Sequence, residues 1–155
     1  MPTPKTVLTY GTFDMFHIGH LELLKRLKNL GDRLIVAIST DEFNEIKGKK
    51  SMIPYAQRAS IVEAIKYVDM VIPEHSWEQK VDDVLKYDVD IFAMGDDWEG
   101  KFDFLKKHCE VISLPRTKNI SSTDLRKQLH NVSKINVQDI NKAFEILQKL
   151  KHDFD

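Results

Sequence analysis

Residues 6–38 read TVLTYGTFDMFHIGHLELLKRLKNLGDRLIVAI, and this stretch decides the fold. Thr6–Tyr10 is a short β-branched and aromatic run, the signature of a strand, and GTFD breaks it. In His17–Leu30, Leu23, Leu27 and Leu30 fall at i, i+4 and i+7, and Leu24 widens the stripe. That is a helix with one apolar face. Gly31-Asp32 punctuates its C-terminal end, where glycine is favoured. Leu34–Ile38 is an unbroken apolar run, which suits a strand buried on both faces. Strand, helix and strand at these lengths make a crossover unit, and crossovers of this length join parallel strands.

The same rhythm continues outward. Thr40–Met52 is a polar, lysine-rich loop, and Pro54 precedes a second helix to about Tyr67. Val68–Ile72 is a third strand ended by Pro73, Trp77–Tyr87 a third helix, and Asp90–Met94 a fourth strand. A GDDWEG loop leads to a short helix near Phe102–Lys107, then to a fifth strand, Glu110–Leu114, ended by Pro115. A further helix starts near Ser122. The expected fold class is α/β, a Rossmann-like doubly wound five-stranded parallel sheet with an appended C-terminal helix. The expected domains are residues 1–130 and a helical extension, 131–155. Within the extension Val137, Ile140, Phe144 and Leu147 share a helical face, which suits packing on the domain, a dimer contact or a tether.

At 155 residues, the chain has the length of one ordinary domain. Its 23 basic and 24 acidic side chains give a net charge of −1, which excludes a globally basic duplex-coating surface. Cys109 stands alone, so neither a disulfide framework nor a thiolate metal cluster is expected, and a reducing compartment fits. The longest apolar run, Leu34–Ile38, is far short of the roughly 18–20 residues of a membrane span. MPTPKTVLTYG carries no apolar signal core, so the expected location is cytoplasmic, with no nucleic acid and no membrane insertion.

In an open parallel sheet, ligands bind outside the carboxyl ends of the strands. The unusual polar segments all follow strands: GTFDMFHIGH, STDEFNEIKGKK, PEHSWEQK, GDDWEGKF and PRTKNISST. His17 and His20, three apart at a helix start, add two imidazoles to an end that already favours anions, and Gly19 allows close approach. A zinc pair would want the glutamate of H-E-x-x-H and a third ligand, and neither is evident. Lys47, Lys49 and Lys50 form a compact cationic loop. Arg116 and Thr117 with Ser121, Ser122 and Thr123 combine a forked cation with hydroxyls at another helix start, a composition suited to triphosphate oxygens or to a plain N-cap. There is no Walker G-x-x-x-x-G-K-[ST], no G-x-G-x-x-G and no G-x-S-x-G. The neutral total charge is expected to hide segregation, with these cations at one sheet edge and the balancing acids largely elsewhere.

Gly11-Thr-Phe-Asp14, His17-Ile-Gly-His20 and Arg116-Thr-Lys-Asn-Ile-Ser-Ser-Thr123 together resemble the cytidylyltransferase branch of the nucleotidyltransferase α/β superfamily. The likeness covers about residues 6–129, and GDDWEGKFDFL resembles the members that act on glycerol phosphate. It departs at Asn119, where glycine is usual, at Ser122, where threonine is usual, and at Lys66, where arginine is usual. The resemblance implies transfer of CMP from CTP to sn-glycerol 3-phosphate, giving CDP-glycerol and pyrophosphate, for a teichoic-acid or capsule-type polymer. It implies His17, His20, Asp14, Lys49 and Arg116 as catalytic residues. It implies CTP contacts from Thr12, Phe13, His17, Gly19, His20, Lys49, Asp97, Arg116, Thr117, Ile120, Ser121, Ser122 and Thr123. Lys47 and Lys80 would contact glycerol phosphate. Asp14 would position the site or help place Mg²⁺, which would arrive with the nucleotide and not at a dedicated protein site. The expected assembly is a homodimer. Alternatives are another acceptor, phosphocholine, phosphoethanolamine or another polyol phosphate; a nucleotide-binding module without turnover; and an FAD synthetase of the archaeal type.

Overall fold

The structure, a computed structural model, describes residues 3–115, 127–128 and 137–153. Its elements are β1 (Thr6–Gly11), α1 (Ile18–Lys28), β2 (Arg33–Ser39), α2 (Asp41–Ile46), α3 (Tyr55–Glu63), β3 (Met70–Glu74), α4 (Gln79–Lys86) and β4 (Ile91–Gly95). Two 3-10 turns, Asp96–Trp98 and Asp103–Lys107, lead to β5 (Glu110–Leu114), and α5 spans Val137–Asp153. The sheet order is β3-β2-β1-β4-β5, and every pairing is parallel. The expected five-stranded α/β architecture is present, and its strand order reverses between β1 and β4.

The apolar run of β2 is buried on both faces because the core has two layers. On one side Val7, Leu34, Val36 and Ile38 pack with Leu24 and Leu27 of α1 and Val62 of α3. On the other, Leu8, Tyr10, Ile35 and Ala37 pack with Val84 of α4 and with Phe102 and Leu105. Leu24 and Leu27 are wholly buried, each worth about 2 kcal/mol of transfer free energy.

The connectors at the amino ends of the strands work by one device, an aspartate accepting from a backbone N–H at a strand start. Asp32 accepts from Lys5 (2.8 Å), Asp69 from Leu34 (2.7 Å) and Asp90 from Thr6 (2.8 Å). Gly31 is required by a close approach, since a Cβ there would lie 2.8 Å from the Lys5 carbonyl oxygen.

Several boundaries differ from expectation. The lysine-rich loop contains α2, because Thr40 caps it, its hydroxyl accepting from the Phe43 N–H at 3.1 Å. α3 stops at Glu63, and the chain to Val68 continues in single turns. β3 begins at Met70 and runs through Pro73 to Glu74; it is an edge strand, where a missing N–H costs no ladder bond. β1 and β4 pair only at Val7–Ile91 and Leu8–Phe92. Beyond that register the two strands part, and the Met94 sulfur accepts from the Tyr10 N–H at 3.4 Å in the opening.

The chain forms two compact units, residues 1–120 and 121–155. In the second, α5 carries Ile140, Phe144, Leu147 and Leu150 as exposed side chains. No helix among the described residues is long and apolar enough to cross a membrane.

Candidate active site

The loop after β1 is strained and anchored. Phe13 and Met15 both adopt positive φ, +53° and +49°, which non-glycine residues hold only where the surroundings insist. Gly11 makes room for this, since a Cβ there would meet the Phe13 ring at 2.6 Å. The anchor is Asp14, 2 % exposed, whose carboxylate accepts from the N–H groups of Met52 (2.7 Å), Ile53 (2.9 Å) and Met15 (3.1 Å). The Asp14 carboxylate thereby staples the GTFD loop to the segment before α3.

The two histidines cap α1. His17 is the N-cap residue and not part of the helix; its Nδ1 accepts from the Gly19 N–H (3.0 Å), and its own N–H donates to Nδ1 of His20 (3.1 Å). This is a capping box built from two imidazoles. The rings lie 4.0 Å apart, with Phe16 stacked on His20 and Phe13 beside it. Because each Nδ1 accepts a backbone hydrogen, each neutral ring carries its proton on Nε2. Burial holds the His17 pKa below the ordinary value and supports that neutral form. In their neutral forms both rings at the helix start are therefore Nε2–H tautomers. The Gly19 N–H is one of the helix-start donors and is given to His17.

The carboxyl end of β2 is built around a residue that sequence reading missed. Arg58 of α3 is 1 % exposed. Its Nη1 donates to the carbonyls of Thr12 and Ser39 (2.8 Å each), its Nε to that of Ile53 (2.8 Å), and its Nη2 to Asp41 (2.8 Å). Asp41 also accepts from the Tyr55 N–H and the Ser51 hydroxyl. The Tyr55 N–H, then Arg58 and Ser51, hold its carboxyl below the ordinary value. One guanidinium thus ties the ends of β1 and β2 to the loop between α2 and α3. The available signal was an arginine at a helix start, where the macrodipole disfavours a cation unless it has partners.

Lys47 and Lys80 are brought together. Lys47 Nζ donates to the Ser39 hydroxyl (2.9 Å), Ser39 donates to Glu74 (2.8 Å), and Lys80 Nζ donates to the other Glu74 oxygen (2.7 Å). Aromatic rings enclose both ammonium groups. Lys80 lies 4.5 Å from the Tyr10 centroid, 5.0 Å from Trp77 and 5.4 Å from Phe102, and Lys47 lies 4.6 Å from Phe43. Burial pushes the Lys47 pKa down, and Glu74 pushes it back up. The acids were expected largely elsewhere; two of them, Asp41 beside Arg58 and Glu74 beside Lys80, sit among these cations, because cations this buried need partners.

Thr12, whose hydroxyl donates to Asn44 (3.3 Å), is half-buried at the end of β1, while Lys49 and Lys50 are exposed after α2. Asp97 is exposed in the turn after β4. Lys66 is exposed, with its ammonium over Tyr67 at 5.2 Å. Arg116, Thr117, Asn119, Ile120, Ser121, Ser122 and Thr123 lie outside the described residues. Among the described residues no group of three or more His, Cys, Asp or Glu side chains is arranged to hold a metal ion.

Residues 8–128 match the model of the cytidylyltransferase-like family. The chain is 60% identical over 126 residues to a glycerol-3-phosphate cytidylyltransferase of Staphylococcus aureus, an alignment covering 81% of this chain and 96% of that one. It is 58% identical over 125 residues to the enzyme of the same name from Bacillus subtilis, covering 81% and 97%. An FAD synthase of Pyrococcus horikoshii is 36% identical over 109 residues, covering 70% and 74%. Among solved structures, a lipopolysaccharide core biosynthesis protein from Thermoplasma volcanium superposes with a TM-score of 0.68 at 24% identity, covering 75% of this chain and 100% of that one; it shares the fold. The chain belongs to the cytidylyltransferase-like family.

Proposed function

We propose that the protein transfers CMP from CTP to sn-glycerol 3-phosphate, forming CDP-glycerol and releasing pyrophosphate. A phosphate oxygen of glycerol phosphate attacks the α-phosphorus, the bond from that phosphorus to the bridging oxygen breaks, and pyrophosphate leaves with the electron pair. The nucleophile is already an anion near neutral pH, so the protein has no proton to remove. Its task is to hold two polyanions in line and to meet the charge that gathers on the departing oxygens. His17 and His20 supply Nε2–H donors at the α- and β-phosphates, most strongly in the transition state. Lys49 and the segment Arg116–Thr123 hold the triphosphate, with Thr12, Phe13, Gly19 and Asp97 shaping the nucleotide side. Mg²⁺ arrives with CTP; the Asp14 carboxylate is committed to backbone N–H groups and positions the loop.

The observation that supports a phosphate acceptor over a quaternary ammonium is the occupied aromatic enclosure. Rings at this spacing would suit a trimethylammonium headgroup, but Lys47 and Lys80 put the protein's own ammonium groups among them. Such a cleft attracts an anion and repels choline. The identity of about 60% to named glycerol-3-phosphate cytidylyltransferases supports the same choice. The reading includes a cytoplasmic homodimer whose product feeds a surface polymer of the teichoic-acid or capsule type.

The test is pyrophosphate release with CTP, ATP and UTP against glycerol 3-phosphate, phosphocholine and phosphoethanolamine. CTP with glycerol 3-phosphate is expected to dominate. Turnover with ATP but not CTP would overturn the nucleotide assignment, and a preference for phosphocholine would overturn the acceptor.

A further inference from the structure

We propose that Glu74 is a positioning residue that sets the charge of the acceptor subsite, holding Lys47 and Lys80 as charged and aimed donors. The inference rests on the reading of those two lysines as ligands of the acceptor phosphate. Glu74 ends β3 and is 3 % exposed, and both its oxygens are committed within the subsite. One accepts directly from Lys80 (2.7 Å); the other accepts from Ser39 (2.8 Å), which itself accepts from Lys47 (2.9 Å). The hydroxyl of Ser39 is thus a relay that carries the carboxylate's effect to the second lysine. Without Glu74, Lys47 would face the Lys80 ammonium with no carboxylate to offset its own burial, conditions that favour the neutral amine of Lys47.

The surroundings of Lys47 make this dependence specific. Lys49 on its own loop, Lys80 from α4 and Arg58 from α3 all oppose its charged form, as does burial. The Phe43 and Trp77 rings face it with weak attraction. Glu74 is the carboxylate that opposes these effects. Two ammonium groups and one carboxylate leave a net charge of about one, which attracts a phosphate.

Glu74→Gln keeps the shape and removes the charge, and Glu74→Asp keeps the charge on a shorter arm. Two readouts apply to the full chain. Steady-state kinetics across about pH 6–10 give KM for each substrate, and NMR of chains carrying ¹³C-labelled lysine follows the Lys47 titration, assigned with Lys47→Arg. In Glu74→Gln, KM for glycerol 3-phosphate is expected to rise about ten-fold, and the Lys47 midpoint and the alkaline limb of kcat/KM to fall by about one pH unit. KM for CTP is expected to change by less than about two-fold, and Glu74→Asp to restore the Lys47 midpoint. Should Glu74→Gln not fold, Ser39→Ala cuts the relay and is expected to lower the same midpoint. An unchanged Lys47 midpoint, or equal rises in both KM values, would overturn the proposal. A lowered midpoint in an enzyme inactive on glycerol 3-phosphate would support the charge-setting role while overturning the acceptor assignment.

Discussion

At His17 and His20 backbone N–H groups take Nδ1 of each ring, which puts the proton of each neutral imidazole on Nε2. Their pairing was legible in the sequence from the three-residue spacing, but the capping box was not, since serine, threonine or aspartate is the usual N-cap and glutamate the usual third residue. His20→Ala is therefore expected to lower kcat by about 100-fold or more, the scale of a lost transition-state donor, while the Kd for CTP moves by a few-fold. Loss of CTP affinity at unchanged kcat would contradict that role. Beyond its place at a helix start Arg58 was illegible, because three of its four partners are carbonyls, those of residues 12, 39 and 53, and backbone acceptors leave no trace in side-chain identity. Arg58→Met would strand these carbonyls and is expected to cost about 3 kcal/mol in denaturant unfolding. Arg58→Lys would not rescue it, since one ammonium cannot reproduce the planar fork. Stability equal to that of the parent chain would show the network to be redundant.

The segment from Thr40 to Arg58 is the element where sequence and structure diverge most. Its lysines and polarity read as loop, yet Thr40-Asp-Glu-Phe43 carries a helix start, a threonine cap followed by acids in the first turn. Periodicity could not reveal a helix of six residues, which is shorter than two turns. Thr40→Ala is expected to cost about 1 kcal/mol and to raise KM for the acceptor, because α2 carries Lys47 at its end. Asp41 ties the same segment together as a carboxylate held below its ordinary pKa. A depressed acid stabilises the fold above its unfolded pKa of about 3.9 and loses that contribution as pH falls through the lower folded value. The acid limb of unfolding below about pH 4 should therefore be shallower in Asp41→Asn than in the parent chain. Identical limbs would remove Asp41 from the account. The Lys47–Ser39–Glu74–Lys80 chain was legible only as two lysines, since the cationic loop gave Lys47, the resemblance gave Lys80 and the acceptor role of both, and nothing in the spacing pointed to Glu74.

Over the whole molecule, the alternation of short apolar runs and amphipathic runs was enough to give five parallel strands and the edge at which the polar loops meet. It could not give the parting of β1 and β4 after Leu8, which depends on register. The neutral charge total is met locally as well, since burying Lys80 and Arg58 demanded Glu74 and Asp41 beside them. The S. aureus and B. subtilis enzymes are covered almost end to end by 81% of this chain. The cytidylyltransferase-like family model ends at residue 128, so a chain ending at residue 130 is expected to keep kcat/KM within about three-fold. A loss beyond ten-fold would make the extension part of the active unit. The central claim is that Lys47 and Lys80 fit the aromatic cleft to an anionic polyol acceptor and CTP supplies the nucleotide. It is tested most directly by ³¹P NMR of the enzyme with CTP and glycerol 3-phosphate. The account predicts a pair of coupled diphosphate resonances, from CDP-glycerol, appearing with an equal amount of pyrophosphate. No new diphosphate in that mixture, with turnover appearing when ATP replaces CTP or phosphocholine replaces glycerol phosphate, would contradict it.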